Sequence, residues 1–302
     1  MPRTAFLFPG QGAQFVGMGR TLLEQSPTAR LLFDRASQIL GYDLARVCLE
    51  GPAEQLNRTD VSQPAIFVAS IVALEHLRQT QGETVASCEA TAGLSLGEYT
   101  ALTFAGVMDF EDGVRLVQLR GQAMQAAAEA TPGGMVSVLG LQTDDVEHLC
   151  QQVRVYGRIW IANFLAPGNI VVSGERAACD RLEQLVNERG LAKTVRLAVA
   201  GAFHTEIMRP ADQQLAQALQ QVQLRPARIP VYSNVDAQPH TQPHEFRQLL
   251  VRQLLQPVRW EETIRRLLAE GFDQFYEIGP GRVLAGLLKR IHRQAVCINV
   301  SA

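Results

Sequence analysis

The sequence has few of the features that mark secreted, membrane-bound or nucleic-acid-binding proteins. Its five cysteines are odd in number and widely scattered, with no Cys-x-x-Cys pair, so neither a disulfide framework nor a zinc site is indicated. With 28 basic and 30 acidic side chains, the chain lacks the basic excess of a nucleic-acid binder. The apolar run between Met1 and Pro9 is too short for a signal peptide or a membrane span. We therefore expect a cytoplasmic protein that acts on small molecules, with no nucleic-acid or membrane partner.

The order of apolar segments predicts an α/β fold. The chain has 302 residues, 47% of them hydrophobic, which is enough for a large core with a smaller inserted domain. Strands alternate with helices over most of the length, as in a mostly parallel sheet covered on both faces. Between Met135 and Val199 the pattern is βαββαβ, which is typical of a ferredoxin-like unit. We therefore assign residues 1–128 and 200–302 to a large subdomain and residues 129–199 to a small one.

Several boundaries are predicted from periodicity alone. Apolar spacing predicts one helix from Leu22 to Ile39, interrupted after it by the stretch Gly41 to Pro52. A second apolar helix is expected from about Pro64 to Leu77. The polar segment Gln79 to Glu89 is expected to be a loop, and Thr194 to Val199 is expected to be a strand.

A short apolar run leads into Gly93-Leu94-Ser95-Leu96-Gly97, and an apolar helix is expected to follow. Gly-x-Ser-x-Gly is the pattern of a nucleophile elbow, in which a strained strand-to-helix turn exposes the serine hydroxyl and small residues permit close backbone approach. The amide of Leu96 would then point toward Ser95 with the helix dipole behind it, as an oxyanion donor does. The alternative is a tight turn without catalytic function, because the motif also occurs by chance.

A nucleophilic serine needs a base, and His204 is the best candidate among six histidines. It follows the small-residue turn at Gly201 on the carboxyl side of a predicted strand, although a structural core histidine is the alternative. His240 and His244 flank Pro243 in a polar segment, where the proline argues against a helix and no metal site is predicted. Since no aspartate stands convincingly at a strand end, we favour a Ser–His dyad oriented by a backbone carbonyl.

Two further segments are candidates for the same site. The turn-rich loop from Pro9 to Gln14 follows the first strand; its glycines do not fit a dinucleotide fingerprint, so it is either a plain connector or the source of a second backbone donor. Arg120 lies on a helix just beyond the elbow helix. Its planar fork is suited to holding a carboxylate by two hydrogen bonds, but periodicity also allows an ordinary surface arginine.

Together these motifs resemble the malonyl-CoA:acyl-carrier-protein transacylases and the related acyltransferases of polyketide synthases. The resemblance runs in order through Phe8 to Gln14, Gly93 to Leu102, Arg120 to Gln122, Gly201 to His204, Asn234 to Asp236, Val251 to Leu254 and Glu277 to Gly281. It therefore spans nearly the whole chain. It implies a hydrolase-like α/β core with a mostly parallel sheet and an inserted ferredoxin-like subdomain.

The resemblance also implies a role for each matching residue. Ser95 would be the acylated nucleophile and His204 its base, with the backbone carbonyl of Gln253 orienting the histidine. Arg120 would clamp the malonyl carboxylate. The oxyanion-hole amides would be those of Gln11 and Leu96. The implied substrates are a coenzyme A thioester and an acyl carrier protein on a separate chain, with no metal and no other cofactor.

Two positions refine this expectation. Leu94 replaces the histidine usual before the serine in fatty-acid members, and with Gly201 to His204 it resembles free-standing acyltransferases that load polyketide assembly lines in trans. Phe203, directly before the histidine, resembles the pattern that selects malonyl over methylmalonyl groups. The alternatives are a malonyl transacylase of fatty-acid synthesis, a hydrolase that clears stalled carriers, and a non-catalytic carrier-binding scaffold. The carrier is acidic in this family, so Lys289, Arg290 and Arg293 are candidates for a basic surface that receives it, and a solvated helix end is the alternative.

Overall fold

The computed structural model describes residues 2–190, 192–199 and 201–301. The strands are, in chain order, β1 (Arg3–Phe8), β2 (Cys88–Gly93), β3 (Gly133–Leu139), β4 (Ile159–Ala166), β5 (Asn169–Glu175), β6 (Lys193–Arg196), β7 (Val231–Tyr232), β8 (Pro239–His240), β9 (Val258–Arg259), β10 (Phe272–Ile278) and β11 (Val296–Val300). They form two sheets, each with its own helical cover.

The α-helices are, in chain order, α1 (Arg20–Gln25), α2 (Pro27–Leu40), α3 (Leu44–Glu50), α4 (Ala53–Leu56), α5 (Thr59–Thr80), α6 (Gly82–Ala86), α7 (Gly97–Phe104), α8 (Phe110–Ala130), α9 (Thr143–Val153), α10 (Arg176–Glu188), α11 (Ala211–Gln221), α12 (Pro243–Gln253), α13 (Trp260–Ala269) and α14 (Val283–Ile291). Short 3-10 turns lie at Arg154–Tyr156 and Glu206–Met208. Among the described helices, none combines the length and apolar character needed to cross a lipid bilayer.

The first sheet has the strand order β11-β10-β1-β2-β7-β8. Its pairs from β11 to β7 are parallel, and only the β7–β8 hairpin at the edge is antiparallel. Phe6 and Phe8 of β1 point into one hydrophobic core, whereas Ala5 and Leu7 point into another on the opposite face. Burial on both faces is expected of a central strand in a parallel sheet. The predicted fold class, an α/β core with a mostly parallel sheet, is confirmed.

The second sheet has the strand order β6-β3-β5-β4-β9. Its first four strands pair antiparallel and follow the βαββαβ pattern expected from the sequence, with α9 and α10 packed on one face. The short strand β9 joins β4 in parallel, and it comes from outside residues 129–199. The large subdomain therefore supplies one edge strand, β9, to the sheet of the small subdomain. The predicted boundary between residues 199 and 200 includes Ala200, which lies outside the described residues.

Several predicted boundaries were wrong for local reasons. The single helix expected over Leu22–Ile39 is divided at Ser26, whose hydroxyl accepts a hydrogen bond from the Ala29 amide at 3.3 Å and starts α2. The expected break from Gly41 to Pro52 contains α3, which Asp43 caps by accepting from the Arg46 amide at 2.9 Å. In the first case a polar cap starts a new helix where periodicity alone predicted that one helix continues. In the second case a polar cap starts a helix where periodicity alone predicted a break.

Other differences concern short or exposed elements. The segment Gln79 to Glu89, predicted as a loop, contains α6 and the first residues of β2. The edge strand β11 was not predicted. The strand expected over Thr194–Val199 is Lys193–Arg196. Pro243 does not prevent a helix: it occupies the first turn of α12, where its missing N–H has no helical partner to lose.

The turn between β2 and α7 lies in close contact with the end of β1. A Cβ atom at Gly97 would lie 2.1 Å from the carbonyl oxygen of Phe8, and one at Gly93 would lie 1.9 Å from the carbonyl carbon of Gly97. Both distances are far inside van der Waals contact, and the atoms met are backbone atoms that cannot turn away. Glycine is therefore required for the turn at Ser95 to sit against the sheet.

We expect Gly97→Ala to destabilise the protein by about 3 kcal/mol, because a methyl group cannot fit against the Phe8 carbonyl without moving a central strand. Gly286→Ala is the matched control: it lies in α14, where an added Cβ meets nothing within 4 Å, and it should stabilise by about 0.5 to 1 kcal/mol through helix propensity. Urea unfolding followed by circular dichroism measures both. Equal midpoints for Gly97→Ala and the parent would contradict the close contact.

Candidate active site

Ser95 lies at the turn between β2 and α7 with φ of 51°, a left-handed conformation that is strained for a residue with a side chain. Asn234, which follows β7, makes two hydrogen bonds to this turn. Its Oδ1 accepts a hydrogen bond from the Ser95 amide at 2.6 Å, and its Nδ2 donates to the Gly93 carbonyl at 2.7 Å. These contacts offset part of the strain and fix the serine hydroxyl toward the cleft. The arrangement is that of a nucleophile elbow.

His204 lies within hydrogen-bond distance of Ser95, as the sequence predicted. Its Nε2 is 2.9 Å from the Ser95 Oγ, and its Nδ1 is 2.7 Å from the backbone carbonyl of Gln253 at the end of α12. Since a carbonyl can only accept, Nδ1 carries the proton and Nε2 is free to take one from the serine hydroxyl. The carbonyl of Gln253 thus lies where an aspartate oxygen lies in a catalytic triad, a position from which it can orient the imidazole.

The electrostatic environment keeps His204 neutral. Only 4% of the residue is exposed, and its φ is 60°. Burial, followed by the positive charge of Arg120, lowers the pKa of His204 from the usual 6.5 to about 4, while the hydrogen bond to Gln253 acts in the opposite direction. A neutral imidazole is the form that can accept a proton, so the base is present in its working state near neutral pH.

Arg120 is buried beside the serine and is not a surface residue. It is 1% exposed, and its guanidinium lies 5.4 Å from the centroid of the Tyr99 ring. Nη2 donates to the Ser95 Oγ at 3.1 Å and to Oε1 of Gln253 at 2.9 Å, and Nη1 donates to Oε1 of Gln63 at 2.7 Å. Among the described residues no carboxylate lies within 4.0 Å of this cation. Burial lowers its pKa below the ordinary value.

Gln11 and Leu96, the predicted oxyanion donors, come from opposite sides of the site. Gln11 follows β1 and lines the same cavity as Ser95 and His204. Leu96 is fully buried and immediately precedes α7. Within the described part of the chain, neither backbone amide donates to a protein acceptor. Two unpaired amides next to a nucleophile suit the stabilisation of an oxyanion, and their role in this protein stays a prediction.

The cleft that receives these groups lies between the two sheets and has a volume of about 590 Å³. Beside the serine it is lined by Leu94, Phe203, Met124 and Met135, which make the inner part apolar. Farther out, polar side chains from the second sheet and Arg290 of α14 line the wall. The cleft thus has apolar and polar walls beside Ser95 and His204, and Arg120 lies behind it, joined to it by the hydrogen bond to the Ser95 hydroxyl.

Phe203 occupies the inner chamber because Gly201 leaves room for its ring. A Cβ at Gly201 would lie 2.4 Å from Cε1 of Phe203 and 2.9 Å from Cβ of Ala128. Phe203 is 4% exposed and lies against the chamber wall directly before His204. The packing of the Phe203 ring therefore leaves no room for a side chain at position 201.

Sequence analysis did not assign roles to three polar residues around the site: Gln63, Asn234 and Glu98. Each is buried, at 0% or 1% exposure, which the sequence pattern around it does not show. Asn234 was noted only as part of a matching segment. Glu98 accepts at Oε2 from Nε2 of Gln253 at 2.5 Å and from the Asn234 amide at 3.3 Å. Burial raises the pKa of Glu98 to about 7, although its hydrogen bonds act in the opposite direction.

The histidines that were set aside lie away from the cleft. His240 contacts Asp236 at 3.2 Å through Nε2 and Glu245 at 3.1 Å through Nδ1, which ties the β7–β8 hairpin to the start of α12. His244 lies in the first turn of α12. Neither residue lines the cavity around Ser95.

Comparisons with known proteins find similarity over almost the whole chain. The family model for the acyl transferase domain matches residues 5–301. The chain is 41% identical to the malonyl CoA-acyl carrier protein transacylase of Bacillus subtilis (strain 168), over all of this chain and 94% of that protein. It is 42% identical to the mitochondrial malonyl-CoA-acyl carrier protein transacylase of Homo sapiens, over 97% of this chain and 78% of that protein.

A solved complex is also similar. In it, a malonyl-transacylase is bound to a type II polyketide synthase acyl-carrier protein. The two chains superpose with a TM-score of 0.93 at 38% identity, and the match covers 99% of this chain and 96% of that one.

We expect the reactivity of Ser95 to persist well below pH 6.5, because the pKa of His204 is lowered to about 4 and the neutral base survives to that range. The rate of inactivation by a sulfonyl fluoride should vary little between about pH 7 and pH 5, and should fall toward pH 4. His204→Ala is the control and should react slowly with no such inflection. A midpoint near pH 6.5 in the parent would show that His204 is not desolvated in this way.

Proposed function

Because the chain belongs to the acyl transferase domain family, we propose that it moves a malonyl group from malonyl-CoA to the phosphopantetheine thiol of an acyl carrier protein. It is a malonyl-CoA:acyl-carrier-protein transacylase, an enzyme of two half-reactions. The single observation that carries this assignment is the buried guanidinium of Arg120, with Nη2 3.1 Å from the Ser95 hydroxyl. A cation at that distance can hold a carboxylate while the serine reacts with the thioester two carbons away.

In the first half-reaction, Nε2 of His204 takes the proton of the Ser95 hydroxyl as Oγ attacks the thioester carbon. The oxygen of the tetrahedral intermediate is placed between the amides of Gln11 and Leu96. When the intermediate collapses, the carbon–sulfur bond breaks, the thiolate of coenzyme A receives the proton from His204, and malonyl-Ser95 remains. General-base action contributes about 10²- to 10⁴-fold and each oxyanion donor roughly 10²- to 10³-fold to such a step.

In the second half-reaction, the thiol of the carrier's phosphopantetheine gives its proton to His204 and attacks the ester carbon. The carbon–oxygen bond breaks, Ser95 recovers its proton from His204, and the malonyl thioester leaves with the carrier. Because one neutral imidazole serves both steps, its lowered pKa suits the whole cycle. The dyad and the two amides supply the required chemistry, so we propose that no metal and no prosthetic group takes part.

A carboxylate clamp favours this function over the alternatives. A hydrolase that clears acetyl or other uncharged groups from carriers gains nothing from a buried arginine beside its nucleophile. A scaffold that only binds carriers has no use for a strained serine paired with a neutral histidine. The strained serine, its neutral histidine and the buried cation together support transfer of a charged acyl group.

We propose that the acceptor is a polyketide carrier, as Leu94 and the segment Gly201 to His204 indicate. A carrier of fatty-acid synthesis is the alternative, and it presents the same thiol to the same site. Arg290 lines the cleft and is exposed at its entrance, where an acidic carrier would arrive. Transfer rates to one carrier of each class distinguish the two pathways without altering the enzyme.

We also propose that the reaction takes place in the cytoplasm. The support is the state of the cysteines: all five are unpaired, and four of them are buried. Unpaired thiols are ordinary in a reducing compartment. The human relative is mitochondrial, and the cytoplasmic assignment is made for this chain alone.

Intact-protein mass spectrometry after mixing with malonyl-CoA tests the function. We expect one malonyl adduct on the parent protein, transferred to a holo carrier on its addition, and none on Ser95→Ala. Ser87→Ala is the matched control, because Ser87 is exposed in the turn before β2 and should leave the adduct unchanged. An adduct that disappears without a carrier would indicate a hydrolase, and the absence of any adduct on the parent would contradict the proposal.

Phe203 should set the preference between malonyl and methylmalonyl groups, because its ring fills the chamber directly before His204. One added methyl group is discriminated by about 1 to 3 kcal/mol in such a pocket, or roughly 10- to 200-fold. We expect malonyl-CoA to be preferred by that order in the parent and Phe203→Ser to narrow the gap. Phe15→Ser, which changes an exposed aromatic residue, is the control. Equal labelling of the parent by both thioesters would refute the steric explanation.

A further inference from the structure

Glu98 is a buried carboxyl group that the reaction above does not use. It lies in the first turn of α7, three residues after the nucleophile, and is 1% exposed. It points away from the cleft and does not line the cavity. A buried carboxyl is costly unless it is hydrogen-bonded, so its partners indicate why it is there. The nearest is Nε2 of Gln253, at 2.5 Å from its Oε2.

The contact with Glu98 determines which way the Gln253 side-chain amide faces. Nε2 of Gln253 donates to Glu98 and, at 3.1 Å, to the backbone carbonyl of Ser95. Its Oε1 is therefore left on the opposite side, where it accepts from Nη2 of Arg120 at 2.9 Å. The reversed amide would place an oxygen against the carboxylate and an NH2 group against the guanidinium. The contact with the guanidinium would be repulsive because a guanidinium offers no acceptor, and the contact with the ionised form of Glu98 would be repulsive because a carboxylate offers no donor.

This orientation matters because Arg120 is held by neutral oxygens. Its guanidinium donates to Oε1 of Gln63 and Oε1 of Gln253, and to the Ser95 hydroxyl. Neutral acceptors position the fork without neutralising it, so its charge stays available to a carboxylate in the cleft. Of the two glutamine acceptors, Gln253 also donates to a carboxyl group, and that group is Glu98. The chain of contacts runs from Glu98 through Gln253 to Arg120.

We propose that Glu98 is a positioning residue for the carboxylate clamp: by holding the Gln253 amide with its oxygen toward Arg120, it fixes the guanidinium for the malonyl carboxylate and favours that group over an uncharged acyl group. The inference rests on the proposed function, since it concerns the same clamp. It assigns to an acid behind the nucleophile a role in substrate selection, separate from the Ser95–His204 chemistry.

The test is a double-mutant cycle in which acylation of Ser95 is measured with malonyl-CoA and with acetyl-CoA. Glu98→Ala and Gln253→Ala should each lower kcat/KM for malonyl-CoA by about 10- to 100-fold, as expected when a hydrogen bond to a charged group is lost. Glu98→Ala should change kcat/KM for acetyl-CoA by less than about 3-fold, because acetyl has no carboxylate that needs the clamp. The double variant should lose no more than the worse single variant, because both substitutions break one chain of contacts.

Glu98→Gln distinguishes positioning from simple structural support. Its amide oxygen can accept from Gln253 as the carboxylate does, so it should restore most of the malonyl preference. Glu83→Ala, an exposed glutamate in α6, should leave both substrates unchanged. Three results would each overturn the inference. They are an equal loss of kcat/KM for malonyl-CoA and acetyl-CoA in Glu98→Ala, malonyl losses that multiply in the double variant, and an unchanged malonyl preference in Glu98→Ala. If Glu98→Ala does not fold, a full malonyl loss in Glu98→Gln together with an equal acetyl loss overturns it. A parent protein that forms no malonyl adduct would instead show that the proposed function has failed.

Discussion

The buried guanidinium of Arg120 is the interaction on which the site depends. Removing a cation from water is expensive, and a protein tolerates it only where hydrogen-bond acceptors surround the charge. Here those acceptors are two glutamine oxygens and the nucleophile's own hydroxyl, so the cation is fixed and still unneutralised. The same charge helps to keep the neighbouring His204 neutral. One buried group thus supports both the recognition of a charged acyl group and the neutral state of His204 that the chemistry requires.

The fold supplies the rigidity that this arrangement needs. Ser95 comes from a strand-to-helix turn, His204 from a loop after β6 and Arg120 from the middle of α8. The backbone carbonyl of Gln253, at the end of α12, orients His204. Gly93 and Gly97 allow the turn to lie close against β1. Asn234, which follows β7, hydrogen-bonds to the Ser95 amide in the turn. The second sheet forms the other wall of the cleft. The relative positions of Ser95, His204 and Arg120 are therefore set by packing and hydrogen bonds between elements.

Much of this was accessible from the sequence, because the signals were local. Alternating strands and helices indicated the fold class, and the spacing around Ser95 indicated the elbow. Arg120 was ambiguous because α8 is amphipathic, and the face on which one arginine lies depends on the partner helix α5 that supplies Gln63. Glu98 and Gln253 meet across 155 residues of sequence, a pairing that no periodicity contains. The predictions at Ser26 and Pro243 were wrong because a helix cap and a first-turn proline set the start of α2 and of α12, which the apolar pattern does not show.

The most direct test of the central claim is the acyl selectivity of Arg120→Ala, measured as kcat/KM for malonyl-CoA and acetyl-CoA. Removing the buried cation should cost the malonyl reaction about 2 to 5 kcal/mol and leave the acetyl reaction much less affected, because only malonyl has a carboxylate that loses its partner. Arg115→Ala is the control on the same helix, where the side chain is exposed and pairs with Asp112 at 3.0 Å. Equal losses for the two substrates in Arg120→Ala would contradict the account and make Arg120 a structural residue.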